Sequence, residues 1–160
     1  MLTAGRSLYA CQQLEYGLKV VMYMVGAAGL ASIPAVQASA VVEGRAPKTL
    51  GQVFAAIRKH VTLSDGWTEL IETGVAARNT IIHGFLVHNA ERLIEPESRS
   101  VVIGELKVLR AQVLAADSAV RQILETLYSV LGIRLDDLFL EAELEIRVRN
   151  RRTETGRMPS

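Results

Sequence analysis

The sequence predicts an all-α fold, an antiparallel bundle of four to five helices. Apolar residues make up 49% of the 160 positions and charged residues 22%, which is enough apolar material to build a core. Aromatic residues contribute only 5%, and there are four prolines. A composition that is rich in aliphatic residues and poor in proline favours helices. Apolar residues also recur at three- and four-residue spacing along several segments, as they do on the buried face of a helix.

The first helix is predicted from about Leu2 to Val25. Its buried face is expected to carry Leu8, Cys11, Leu14, Leu18, Val21 or Met22, and Val25. Gly26, Gly29 and Pro34 then end it. Residues 20–42 contain no Asp, Glu, Lys or Arg and are long enough to span a bilayer. Because the second half of this stretch is rich in Ala and Ser and is broken by Pro34, we expect a soluble buried helix running into a loop.

Two further helices are predicted in the middle of the chain. Thr49 resembles an N-cap for a short helix from Leu50 to His60, whose buried face carries Leu50, Val53, Phe54 and Ile57. A turn at residues 64–66 precedes a third helix, from roughly Trp67 to Leu93. Its apolar stripe comprises Trp67, Leu70, Ile71, Gly74, Val75, Ile81, Ile82 and Phe85.

The longest helix follows the break at Pro96, with Ser98 or Ser100 as its cap, and ends near Gly132. Its apolar residues alternate four and three positions apart: Val102, Leu106, Leu109, Val113, Ala116, Val120, Ile123, Leu127 and Val130. Such a seam is typical of paired antiparallel helices. A last helix is predicted from Leu135 to about Ile146. Residues 1–146 are therefore expected to form one domain, followed by a basic, flexible tail at residues 147–160.

Charge and cysteine content limit the classes of function. The formal net charge of +1 excludes a global basic field that would attract nucleic acid, so any phosphate contact must come from local clustering. With Cys11 as the single cysteine, an intrachain disulfide and a Cys-based metal site are both excluded. The N-terminus lacks the pattern of a signal peptide. We expect a cytoplasmic protein that needs no metal or cofactor.

Arg78 lies in the middle of the apolar stripe of the third helix. A buried guanidinium without a partner costs several kcal/mol, so an anion should meet it. That anion is either a carboxylate such as Glu15 or a ligand phosphate. Asn79 and His83 are four residues apart and share one helix face. Arg78 and His83 are five apart, about 140° around the axis of a regular helix, so they do not point the same way, but the long arginine side chain can curl around the helix.

The element Arg78-Asn79-Thr80-Ile81-Ile82-His83 resembles the Arg-Asn-x-x-x-His motif of the HEPN (higher eukaryotes and prokaryotes nucleotide-binding) superfamily. Its setting, in the middle of a long bundle helix, is also similar. The segment 48–52, followed by a short helix and a turn, looks like that of some HEPN subfamilies. The resemblance in organisation extends over about residues 1–145, although the specific residues are few.

The resemblance implies a metal-independent endoribonuclease of toxin–antitoxin or antiviral type, acting as a homodimer with a composite site. His83 would be the general base or acid near the ribose 2′-OH, Arg78 would stabilise the charge on the scissile phosphate, and Asn79 would orient one of them. A possible partner is an antitoxin such as a nucleotidyltransferase. Some HEPN toxins carry a modifiable tyrosine two residues after the histidine, where this chain has Phe85.

A second hypothesis is a non-catalytic HEPN-like helical dimer that binds nucleotide, RNA or a partner protein in the same cleft. Candidate binding residues outside the motif are Tyr16 and, in the tail, Arg147, Arg149 and Arg151. Tyr16 belongs to a seven-residue repeat with Tyr9 and Tyr23. Such a stripe either stacks RNA bases or, more commonly, packs against another helix.

Overall fold

The computed structural model describes residues 2–27 and 49–132, and these form helices joined by short turns, with no strand among them. In chain order the elements are α1 (Leu2–Ala27), α2 (Leu50–Arg58), α3 (Asp65–Thr80), a π turn (Ile81–Phe85), α4 (Leu86–His88), α5 (Ala90–Ile94) and α6 (Pro96–Leu131). The all-helical prediction is confirmed for this part of the chain. The predicted helix from Leu135 to Ile146, the basic tail and most of the uncharged stretch 20–42 lie outside the described residues.

Contacts divide the chain into two compact units, residues 1–124 and residues 125–160. The first unit contains α1 to α5 and most of α6. In the second unit, the described residues complete α6 and end at Gly132, whose positive φ of 66° follows the last helical turn. Within the part of the chain that the structure describes, no helix is long and apolar enough to cross a membrane.

The helix starts follow local capping chemistry. Thr49 caps α2 as predicted: its side chain accepts a hydrogen bond from the Gln52 backbone N–H, and the Gln52 side chain accepts one from the Thr49 backbone N–H. Ser64 caps α3, so this helix begins at Asp65, where we had predicted a turn. The long helix begins at Pro96 and not after a serine cap, because the fixed φ of proline and its missing N–H suit the first helical position.

The core is built mainly from the predicted faces of α1, α2 and α6. On α1, all the predicted apolar positions except Leu8 are buried. On α6, the buried predicted positions are Val102, Leu106, Val113, Ala116, Val120, Ile123 and Leu127. Leu109 is half-buried and Val130 is exposed, so these two seam predictions were wrong. Leu70 and Ile82 of the predicted third-helix stripe are exposed as well.

The predicted third helix is interrupted after α3. Its backbone widens into the π turn, and Gly84 within that turn has a φ of 146°, a value that L side chains rarely adopt. The chain then continues through the short helices α4 and α5 up to Ile94. A single regular helix from Trp67 to Leu93 was therefore a wrong prediction, because the conformation of Gly84 is incompatible with one.

Two glycines allow α6 to approach its neighbours closely. A Cβ on Gly17 of α1 would lie 2.9 Å from Cγ1 of Val120. A Cβ on Gly74 of α3 would collide with the Cβ of Ala116 and lie 3.1 Å from the carbonyl oxygen of Gln112. Since interiors are packed at crystal-like density, neither place has room for an added methyl group. Both α1 and α3 are thereby held against α6.

We expect Gly74→Ala to lower the free energy of unfolding by up to about 2 kcal/mol, because overpacking typically costs about 1–3 kcal/mol and the gain in helix propensity offsets only about 1 kcal/mol of it. The matched control is Gly104→Ala on α6, where nothing lies within 4 Å of the added Cβ. That variant should gain up to about 1 kcal/mol. Urea denaturation measures both changes, and equal stabilisation by the two substitutions would contradict the close approach at Gly74.

Candidate functional site

The motif residues meet in one cleft of about 360 Å³, which we call the motif cleft. Its walls come from α1, the start of α2, the end of α3 and the π turn. It is lined by Glu15, Lys19, Thr49, Leu50, Val53, Arg78, Asn79 and His83. The start of α2 adds the partial positive charge of a helix N-terminus to this wall. Arg78, Asn79 and His83, which the sequence placed together only in a linear motif, therefore share one concave surface.

Arg78 meets the carboxylate that its burial requires. Its side chain is only 15% exposed, and Nη2 donates a 2.5 Å hydrogen bond to Oε2 of Glu15. The prediction that Glu15 pairs with Arg78 is confirmed. Nη1 of Arg78 donates to Oδ1 of Asn79 at 3.1 Å. Its Nε is buried and has no hydrogen-bond partner. The guanidinium is thus oriented by two neighbours and keeps an unused donor.

Glu15 also binds Lys19, one turn further along α1. Lys19 Nζ lies 2.8 Å from Oε1 of Glu15, so one carboxylate bridges two cations. Burial raises the pKa of Glu15, but hydrogen bonds from Lys19 and Arg78, together with their charges, lower it more, and the net pKa lies below its ordinary value. Two cations and one carboxylate leave the cleft wall net positive, which suits an anionic ligand.

Arg78 and His83 both line the motif cleft, and His83 lies in the π turn. In a regular α-helix, residues five apart point in different directions, as we had expected for this pair. A π turn is wider and closes with hydrogen bonds between residues five apart, and such turns are frequent at functional sites. Both side chains nevertheless line the motif cleft, which is wide enough to include the long arginine and the imidazole. The imidazole of His83 is exposed, as a proton-transfer group must be to reach a ligand.

Lys19 is the cleft residue that the sequence did not single out. The spacing of Glu15 and Lys19, four apart on α1, was its available signal, because such pairs share one face. Nothing in the sequence indicated a functional role for Thr49, Leu50 and Val53, which form part of the cleft wall. Their predicted role was capping and core packing, which they also fulfil.

Of the binding residues predicted outside the motif, only Tyr16 lies within the described residues. Tyr16 is 66% exposed on α1 and is absent from the cleft lining. Arg147, Arg149 and Arg151 lie outside the described residues. Phe85, two residues after His83, is buried. Among residues 2–27 and 49–132, no three His, Cys, Asp or Glu side chains lie close enough together to hold a metal ion.

This arrangement can bind a phosphate and move a proton beside it. Arg78 and Lys19 offer charge-assisted donors to phosphate oxygens. Histidine is the side chain that most often acts as a general acid or base, and His83 supplies one at this cleft. Asn79 is held beside the guanidinium by its own hydrogen bond. These are the side chains that metal-free phosphodiester chemistry requires.

We expect Glu15→Gln to lower the free energy of unfolding at pH 7 by about 1 kcal/mol, because a neutral amide binds the two cations more weakly than a partly exposed carboxylate does. The folded-state pKa of Glu15 is depressed, so its contribution is complete above the ordinary value of 4.5 and is lost as the pH falls below it. The difference between wild type and Glu15→Gln should therefore shrink at pH 3.5.

Urea denaturation at both pH values measures this difference. Glu69→Gln is the matched control, since Glu69 is an exposed carboxylate on α3 that forms no ion pair within the described ranges. A gap that stays constant between pH 7 and pH 3.5 would show that the charge of Glu15 does not stabilise the fold.

Comparisons with protein-family models, with curated proteins and with solved structures found no match to this chain. The chemistry of the motif cleft is therefore argued from its own side chains. Their distances and charges identify it as the candidate functional site of the described residues.

Proposed function

We propose that this chain is a metal-independent endoribonuclease of the HEPN type that cleaves RNA through attack by a ribose 2′-OH. The observation that carries the proposal is the meeting of Arg78, Asn79 and His83 in one cleft, with Lys19 as a second cation. The motif that suggested HEPN membership consists of the first three of these residues. Their convergence supports a catalytic interpretation more strongly than their sequence spacing alone.

The proposed reaction needs one nucleophile and two proton transfers. His83 accepts the proton of the 2′-OH, and the oxygen attacks the adjacent phosphorus. The bond between phosphorus and the 5′ oxygen breaks, and that oxygen takes up a proton. The products are a 2′,3′-cyclic phosphate and a 5′-hydroxyl. RNA supplies its own nucleophile, so neither a covalent enzyme intermediate nor a metal is needed.

Arg78 stabilises the negative charge that develops on the phosphate oxygens. The pentacoordinate phosphorus carries more negative charge on its oxygens than the substrate does, and a fixed guanidinium stabilises that state preferentially. Asn79 holds one arm of the guanidinium through its 3.1 Å hydrogen bond. Lys19 adds a mobile point charge at the cleft wall. Glu15 acts as a counterion that keeps Arg78 in place before RNA arrives.

A homodimer with a composite cleft belongs to the same proposal. His83 is the only histidine that lines the motif cleft, while the reaction takes up one proton and gives back another. Ile82 and Leu86, on either side of His83 along the chain, are exposed apolar side chains. A second copy that covers them would bring the partner's His83 near to this cleft. An antitoxin such as a nucleotidyltransferase remains a possible partner in this proposal, without a tyrosine at position 85 to modify.

The ion pair between Arg78 and Glu15 favours a second candidate function. A carboxylate already occupies one arm of the guanidinium, as it does in a structural ion pair. The alternative is a non-catalytic helical dimer that binds nucleotide, RNA or a partner protein in the motif cleft. The two functions differ in one observable, the formation of cleaved product.

The proposal predicts RNA cleavage in the presence of EDTA, with cyclic phosphate ends. His83→Ala should lower the cleavage rate by at least about a hundredfold, because general acid–base catalysis typically contributes about 10²–10⁴-fold. His60→Ala is the matched control, since His60 follows the end of α2 and does not line the cleft. It should cleave at the rate of the wild type. Electrophoresis of end-labelled RNA, with analysis of the product ends, measures both.

Wild-type protein that binds RNA or nucleotide but leaves structured and unstructured RNAs intact would favour the binding module. Equal loss of cleavage in the two histidine variants would remove His83 from the reaction. Circular dichroism of each variant separates a lost proton-transfer group from a lost fold.

The composite site predicts a dimer in solution. Leu86→Glu should convert it to a monomer and abolish cleavage together with dimerisation, because a charge would be buried in an apolar interface. Val108→Glu on α6 is a control that also places a charge on an exposed apolar side chain, away from the cleft. Light scattering coupled to size-exclusion chromatography measures the mass. A monomeric wild type that cleaves RNA would contradict the composite site.

A further inference from the structure

A second cationic cleft lies between α1 and α6, on a different side of α1 from the motif cleft. It has a volume of about 340 Å³, which is in the range of small-ligand sites. We call it the arginine cleft, and it is lined by Gly5, Arg6, Tyr9, Ala10, Gln13, Arg110 and Leu114. It contains two guanidinium groups, one aromatic ring and one side-chain amide, and no carboxylate.

No carboxylate lines this cleft to neutralise the positive charge of its two arginines. Nε of Arg110 is buried and has no hydrogen-bond partner. In the ranges that the structure describes, no carboxylate forms an ion pair with Arg6 or Arg110. A buried polar donor without a partner is destabilising, and a cation is more so. An anion in this cleft would meet the guanidinium groups of Arg110 and Arg6.

Tyr9 presents an aromatic surface beside the two arginines. Its side chain is 61% exposed. Gln13 Nε2 donates a 3.1 Å hydrogen bond to the Tyr9 hydroxyl, one turn away on α1. This hydrogen bond orients the ring before any ligand arrives, which lowers the entropy that a stacked ligand must overcome. Exposed aromatic rings beside arginines form the usual platform for a nucleobase.

We propose that the arginine cleft binds the phosphate of a nucleotide, with the base stacked on Tyr9. Guanidinium groups match phosphate oxygens with paired, charge-assisted hydrogen bonds, and two of them suit a group with more than one charge. The amide of Gln13 and the apolar side chain of Leu114 complete a lining that is polar at one end and apolar at the other. This site is distinct from the motif cleft and does not depend on whether the chain cleaves RNA.

The position of the cleft on α1 indicates how a longer ligand would run. Successive residues turn by about 100° around a helix, so Tyr9, Tyr16 and Tyr23 form one exposed face, the tyrosine face. Arg6 lies on one side of this face and Lys19 on the other, about 20 Å apart along the axis. A single RNA strand that crosses the tyrosine face would reach both clefts. The nucleotide in the arginine cleft is thus either free or part of such a strand.

The test uses the full-length protein and three probes: inorganic phosphate, 5′-AMP, and a fluorescent 2′-O-methylated oligonucleotide that lacks the hydroxyl needed for cleavage. Titration calorimetry measures the first two affinities and fluorescence anisotropy the third. Arg6→Gln and Arg110→Gln should each weaken AMP binding by about tenfold or more. Tyr9→Ala should weaken AMP binding by roughly five- to tenfold while leaving phosphate binding unchanged.

Lys107→Gln is the matched control, because it removes one positive charge from the same helix one turn away from Arg110 without lining the cleft. It should change AMP binding less than about twofold. Arg6 is exposed, so its variant tests the cleft even where Arg110→Gln weakens the fold. Loss of oligonucleotide affinity in both arginine variants would assign the nucleotide to an RNA strand. Unchanged oligonucleotide affinity, with AMP binding lost, would assign it to a free nucleotide.

Three results would overturn the proposal. The first is a wild type that binds neither AMP nor the oligonucleotide. The second is an equal loss in Lys107→Gln and Arg110→Gln, which would reduce the effect to general electrostatics. The third is phosphate binding as tight as AMP binding, together with an unchanged affinity in Tyr9→Ala, which would leave an anion site without a nucleobase.

Discussion

The ion pair between Arg78 and Glu15 is the interaction on which the candidate site depends. It joins α3 to α1 and holds a guanidinium that is only 15% exposed. Without an anion, the free energy of desolvating this charge would drive the side chain out of the cleft or destabilise the helix pair. Because Glu15 also binds Lys19, the same carboxylate fixes the charge pattern of the cleft wall. Glu15 therefore contributes both to the stability of the helix pair and to the charge of the cleft wall.

A second constraint operates through Gly84, which couples the backbone to the site. Its φ of 146° excludes other residues without strain, and the ring of His88 covers the position where a Cβ would stand, 2.7 Å from Cε1. The side chain of Asn89 donates to the carbonyl oxygen of Phe85, which satisfies an acceptor at the end of the π turn. His88 and Asn89 thus both contact the turn that interrupts the third helix. His83 lies in this turn and lines the motif cleft, so the irregular backbone adjoins the candidate site.

Local and periodic features were predictable from the sequence, whereas features set by neighbouring helices were not. The N-cap at Thr49 depends on hydrogen bonds within one four-residue segment, and the seam of α6 depends on spacing alone. The interruption of the third helix escaped prediction because an isolated glycine in a helical pattern costs only about 1 kcal/mol and is common. The same limit applies to Leu8 and Leu70, which follow the apolar period of their helices but remain about two-fifths exposed. The pairing of Arg78 with Glu15 was predictable because burial of a charge demands a partner of known type.

The two clefts differ in whether a carboxylate already binds the arginine. In the motif cleft the guanidinium already has a carboxylate, so a phosphate must share or displace Glu15, and part of the attraction is offset. Such an exchange suits a substrate that has to leave after reaction, since uniform tight binding does not raise the rate of a chemical step. In the arginine cleft Arg110 has no internal anion, so an incoming phosphate gains the full interaction. If one RNA strand occupies both clefts, its affinity therefore comes mainly from the arginine cleft, and the motif cleft remains free to favour the transition state.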